Sequence, residues 1–125
     1  MGTTALGGSG KGGTVFELTP GNGGWTLNTL YSFGGSTGSY ASLTMDATGN
    51  LYGTTFGDGM YGYGNLFKLS PSNGGWTYTS LHDFTGGIGG ANPVGGVLID
   101  ANGNLYGTAS AGGAYGYGVV WEITP

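Results

Sequence analysis

The sequence predicts an all-β chain of short, four-stranded, propeller-like blades, and three observations carry that prediction. A unit recurs with spacings of 51 and 54 residues, marked by the apolar segments Thr14–Pro20, Asn65–Pro71 and Val119–Pro125. Within each unit the apolar residues alternate over strand-length stretches separated by glycine, asparagine and proline turns. Glycine supplies 32 of the 125 residues, and with the β-branched and turn residues it leaves no window for a helix. Four strands in a unit of about this length is the pattern of a propeller blade, with a linear β-solenoid as the alternative.

The chain opens inside a unit. Met1-Gly2-Thr3-Thr4 matches Tyr52-Gly53-Thr54-Thr55, so residues 1–5 read as a second strand. Thr14–Thr19 follows as a third strand, with Phe16 and Leu18 on one face and Val15 and Glu17 on the other. Pro20, Pro71 and Pro125 are expected to end their strands, since proline donates nothing to a ladder. Trp25–Phe33 and Trp76–Phe84 read as fourth strands, with Trp25, Leu27, Tyr31 and Phe33 sharing one parity and Leu30 and Leu81 breaking it. Leu43–Asp46 and Val97–Asp100 are nearly continuous in apolar character, which predicts a first strand buried on both sides. Asp46–Asn50 and Asp100–Asn104 then form tight turns into Leu51–Thr55 and Leu105–Thr108. The result is a single array over residues 1–125, an incomplete set of about 2.4 repeats and ten short strands. It divides into a partial blade at 1–42 (second to fourth strands), a complete blade at 43–96 and a partial blade at 97–125 (first to third strands).

Composition narrows the function. Two lysines, six acidic residues and a net charge of −4 leave no basic patch to neutralise a phosphate backbone, so nucleic acid is not an expected partner. There is no cysteine for a disulfide or thiolate site, and no apolar run long enough for a membrane span. The segment Gly8–Gly13 has the glycines of a phosphate loop but puts Gly12 after Lys11, with no strand-to-helix context.

Few residues are candidates for chemistry. His82 is the one histidine, stands where the other unit has Tyr31, and has no repeated partner for base catalysis. Asp46, Gly49 and Asn50 recur as Asp100, Gly103 and Asn104; a turn lock is the expected role, and a weak calcium loop would need more carboxylates. No acidic pair is placed by the sequence for glycoside chemistry. No cofactor or metal is expected. Tyr61, Tyr63, Tyr115 and Tyr117 sit in recurring glycine loops and offer packing, subunit contact or a stacking surface for sugars. Phe16, Trp25, Phe33, Phe67, Trp76, Phe84 and Trp121 are the expected packing anchors.

The ordered landmarks GGAYGYG-VVWEITP, GGWT, LYSF, GANP, VLID and GNLYGT resemble the glycine-rich tandem repeat of secreted bacterial proteins, of the GloVer type and choice-of-anchor tandem repeat family. The stretch VLIDANGNLYGT is also similar to the first half of an NHL-type propeller blade. The resemblance implies an extracellular or cell-surface location, and the family brings no catalytic residues. Because no signal peptide is visible and the chain starts within a repeat, it is expected to be part of a longer array or a subunit of a homo-oligomer. The expected function is a non-catalytic, exported structural and interaction module that self-associates through incomplete blades into a ring or fibre. The alternative is a carbohydrate-binding module that takes a glycan on the tyrosine loops, and a polysaccharide hydrolase or lyase ranks behind both.

Overall fold

The computed structural model describes all of residues 1–125 and is all-β, with no helix. Ten strands follow in order: β1 (Gly2–Thr4), β2 (Thr14–Gly21), β3 (Gly24–Ser32), β4 (Thr44–Met45), β5 (Leu51–Thr55), β6 (Asn65–Ser72), β7 (Gly75–Asp83), β8 (Leu98–Ile99), β9 (Leu105–Ala109) and β10 (Val119–Ile123). They make three antiparallel sheets, none closed: β1-β2-β3, β4-β5-β6-β7 and β8-β9-β10. No helix is present that could cross a membrane.

Because successive side chains of a strand point to opposite faces, each sheet has two distinct sides. Val15 and Leu66 lie on one side, which we call the back; Phe67 and Leu69 lie on the front. Two cores form between the sheets. Val15 and Phe33 from the back of the first sheet meet Leu51, Phe67 and Leu69 from the front of the second. Leu66 and Phe84 from the back of the second sheet meet Val97, Leu105, Ala109 and Trp121 from the third. The three sheets therefore stack back to front, twice, with equivalent residues at each junction. Full burial of a Leu or Phe stabilises by about 1.5–3 kcal/mol, so these two layers hold the chain together.

The fourth strands differ from the single-parity expectation, and the reason is a β-bulge. Val15 pairs with Tyr31 but Phe16 pairs with Thr29, which leaves Leu30 as an extra residue; Leu81 is extra in the same way between His82 and Ser80. One extra residue inverts the parity of everything beyond it. Trp25 and Leu27 thus face the front while Tyr31 and Phe33 face the back. In the second sheet, Trp76 and Tyr78 pack on the first core and Phe84 enters the second.

Two further expectations are corrected. Strands β2 and β6 run through Pro20 and Pro71, which pair with Trp25 and Trp76. Beyond Leu69, β6 has a neighbour on one side only, because β5 begins at Leu51 opposite it. A proline there removes no second ladder bond. The first strands are two residues long and are not buried on both sides: Met45 and Leu98 are exposed. Alternation turns Leu98 to the back of the third sheet, which no further sheet covers, and the first sheet has no counterpart of β4 to cover Met45.

Candidate functional site

The recurring Gly-Asn-Leu-Tyr-Gly-Thr stretch gives each of its residues a separate mechanical task. Gly49 and Gly103 have φ values of 87° and 83°, the left-handed turn conformation glycine takes freely. Asp46 accepts hydrogen bonds from the Thr48 and Asn50 amides, both at 2.9 Å, from Asn50 Nδ2 at 2.8 Å and from the Tyr52 hydroxyl at 3.1 Å. Asp100 repeats this with Asn102, Asn104 and Tyr106. Leu51 and Leu105 enter the two cores. Gly53 makes room for an aromatic ring, since a Cβ there would lie 2.7 Å from Phe67 Cζ; Gly2 and Gly107 lie in the same way beside Phe16 and Trp121. The threonines tie sheet to sheet: Thr3 Oγ1 donates to the Ala41 carbonyl at 2.8 Å, and Thr54 Oγ1 to the Gly95 carbonyl at 3.2 Å.

These carboxylates lock their own turns. Burial opposes charge on Asp46, but the hydrogen bonds from Asn50, Thr48 and Tyr52 outweigh it and hold the carboxyl below the usual range. The Asn104 side chain, with the backbone amides, does the same for the half-buried Asp100. Each oxygen is faced by N–H or O–H donors, an arrangement suited to an anion's lone pairs and not to a cation with its other ligands. No three His, Cys, Asp or Glu side chains cluster to hold a metal ion.

Three of the acids hold local hydrogen bonds. Asp83 Oδ1 accepts from the Met60 amide at 3.0 Å and from Ser80 Oγ at 3.1 Å, fastening a loop. Asp100 and Glu122 do converge, both on the Tyr106 hydroxyl at 3.0 and 3.1 Å. That phenol fills the gap between them, and the Asp100 bond raises its pKa most. In the second sheet the Glu122 position is Lys68, whose Nζ lies 5.8 Å from the centroid of the Tyr52 ring. His82 is exposed, with its ring edge-on to Phe84 at 4.9 Å.

The other candidates are distributed between cores and surface. Phe33, Phe67 and Phe84 are fully buried, Trp121 is nearly so, and Phe16 and Trp76 are half-buried. Trp25 is not a packing anchor: it is 69 % exposed, because the bulge leaves it on the open front of the first sheet. The tyrosine loops do not cover the rim of the core at the third sheet. Tyr115 and Tyr117 are 89 % and 92 % exposed, and Tyr61 and Tyr63 are about half exposed. The difference follows from the strands present. Tyr63 lies against Gly86, in the loop after β7, and the third sheet has no fourth strand and so no such loop.

What the three sheets leave open is the more distinctive feature. Val15 and Leu66 are fully buried, whereas the equivalent Val120 is 81 % exposed, on the same back face of the third sheet as the exposed Leu98. Thr54 is buried and bonded across the junction, while Thr108 is exposed. At the other end, Leu18, Trp25 and Leu27 are exposed on the front of the first sheet, where their counterparts Leu69, Trp76 and Tyr78 are packed. The cross-sheet threonine bond and the bulge are not deducible from single residues. Their only signals in the sequence are the recurrence of Thr after Tyr-Gly and the repeated parity break at Leu30 and Leu81.

These strands, turns and junctions repeat over the whole chain, and the Gloeobacter/Verrucomicrobia repeat matches residues 1–125. The chain belongs to the Gloeobacter/Verrucomicrobia repeat family. No curated protein and no solved structure matches it. In the second unit Tyr52, Gly53 and Thr54 carry a turn anchor, a ring seat and a cross-sheet donor on successive residues.

Proposed function

We propose that this repeat is a non-catalytic structural and interaction module of the cell surface, whose sheets stack as propeller-like blades and whose end faces bind further copies. One observation carries the reading. The same back-face position is fully buried at Val15 and Leu66 and bare at Val120, and the front face that would complement it is bare at Leu18 and Leu27. Apolar side chains exposed at positions that are buried elsewhere in the repeat mark an interaction surface. Sheet-to-sheet stacking of this handed, back-to-front type is heterologous, so it builds a ring if the rotation closes and a fibre if it does not. Mass measured by light scattering across a concentration series tests this: association that Val120→Asp suppresses supports it, and a concentration-independent monomer refutes it.

The exposure of Tyr115 and Tyr117 on a glycine loop favours one second reading, a stacking platform for a glycan. A glycan array with the wild type and with Tyr115→Ala/Tyr117→Ala decides it; binding abolished by the pair supports the platform, and no binder or unchanged binding removes it. A polysaccharide hydrolase or lyase draws no support from Asp100 and Glu122, since Tyr106 occupies the space a substrate atom would need.

A further inference from the structure

Three asparagines of the chain precede a glycine: Asn22-Gly23, Asn73-Gly74 and Asn102-Gly103. They stand in two kinds of turn. Asn22-Gly23 and Asn73-Gly74 are the two-residue tips of equivalent hairpins, β2-β3 and β6-β7, closed by the pairs Gly21 with Gly24 and Ser72 with Gly75. Asn102-Gly103 belongs to the turn that Asp100 locks ahead of β9. The dipeptide is reactive in a specific way. The amide nitrogen after an asparagine is the nucleophile nearest the side-chain Cγ. A glycine there has no Cβ to crowd the approach and lets the backbone reach the five-membered geometry that attack requires. The rate of such an intramolecular step depends on a free nucleophile that can be brought onto its carbon.

On that criterion the three sites part, although all six residues are exposed. Gly23 and Gly74 lie between strands, and their amides donate no backbone hydrogen bond. Nothing lies within 4 Å of where a Cβ of either glycine would stand. Asn73 and Gly74 have φ values of 31° and 79°, the left-handed pair of a two-residue hairpin turn. At Asn102 the nucleophile is occupied. The Gly103 amide donates to the Asp100 carbonyl at 3.1 Å, and the Asn102 amide donates to Asp100 Oδ1 at 2.8 Å. Attack there would break the first bond and rotate a backbone that the second one holds.

We propose that Asn22 and Asn73 are sites of spontaneous deamidation and that the Asp100 turn protects Asn102 from it. At each hairpin tip the glycine nitrogen gives its proton to solvent base and forms a bond to the asparagine Cγ. The Cγ–Nδ2 bond breaks, and the nitrogen takes up a proton and leaves as ammonia. Water then opens the cyclic imide at either carbonyl, giving aspartate or isoaspartate. Water is the one co-reactant. Each event puts a carboxylate where a neutral amide stood, in a chain whose net charge is −4. Both sites lie at the same place in successive units and beyond the last ladder pair, so the strands keep their register while the tips become anionic. The modification needs no second chain and is independent of the function proposed above.

The test is incubation of the full, folded chain at mildly alkaline pH, followed over time by peptide mapping with mass spectrometry and isoaspartate-specific detection. Expected is conversion of Asn22 and Asn73, each at least about tenfold faster than Asn102, with aspartate and isoaspartate both formed. The same incubation in denaturant removes the Asp100 turn, and Asn102 should then convert as the other two do. An Asn102 that converts in the folded chain as fast as either tip overturns the proposal, as does a tip asparagine that stays intact there. An Asn102 that remains slow in denaturant overturns the protection by the turn.

Discussion

Single residues in this fold act through turns and seats more than through charge. Asp46 is the clearest case, accepting from five donors of its own turn and of Tyr52. Because its folded pKa is depressed, its stabilising contribution is present above the ordinary carboxylate value and is lost as pH falls below it. Asp46→Ala should cost about 1 kcal/mol at neutral pH, discounted for solvent screening, and the difference from wild type should shrink in strong acid; denaturant melts at the two pH values check this. Tyr78 gives the opposite sign. Burial raises its pKa from 10.0 to about 12, only partly offset by the bond from Asn65 Nδ2. Its phenol stays neutral in the folded chain after it has ionised in the unfolded one, so stability should fall by about 2–3 kcal/mol as pH rises from 10 through 12. Tyr78→Phe should flatten that loss in alkaline denaturation curves. The turn residues were legible in the sequence from Asp, Gly and Asn at fixed offsets. The buried set of Asn65 with Thr55, Tyr78 and Ser80 was not, because its partners come from three strands and nothing local announces them.

At the scale of the element, the fourth strand is what alternation alone misreads. Trp25, Leu27, Tyr31 and Phe33 share a parity in sequence, yet Leu30 shifts the register and sends the second pair to the opposite face. The repeated break at Leu30 and Leu81 was visible, but a bulge and a side pocket give the same pattern in sequence, and only the pairing register separates them. Deleting Leu30 should restore continuous alternation, swing Tyr31 and Phe33 away from the first core, and destabilise the chain by at least about 3 kcal/mol, comparable with removing a buried aromatic. Thermal denaturation checks the loss. Prolines misled for a related reason: a strand with a neighbour on one side tolerates a residue that cannot donate to the other. The number and order of the ten strands, in contrast, followed from turn spacing and the repeat, which are local.

At the scale of the whole molecule, stability comes from two layers between three sheets, and the same layering rule leaves two faces uncovered. That could not be read from residues alone, since Leu66 and Val120 occupy the same place in the repeat and differ in burial, Leu66 being covered by the third sheet. The family match extends over the whole chain. On the function proposed above, the working parts of the module are its apolar faces and its cross-sheet threonines.

The most direct measurement of this account is sedimentation equilibrium on the wild type and on Val120→Asp over a wide concentration range. The account predicts a mass that rises with concentration for the wild type and stays at or near one chain for Val120→Asp, with both showing the same circular dichroism spectrum. A wild-type chain that remains a single species of monomer mass throughout, or a variant that associates as the wild type does, would contradict it.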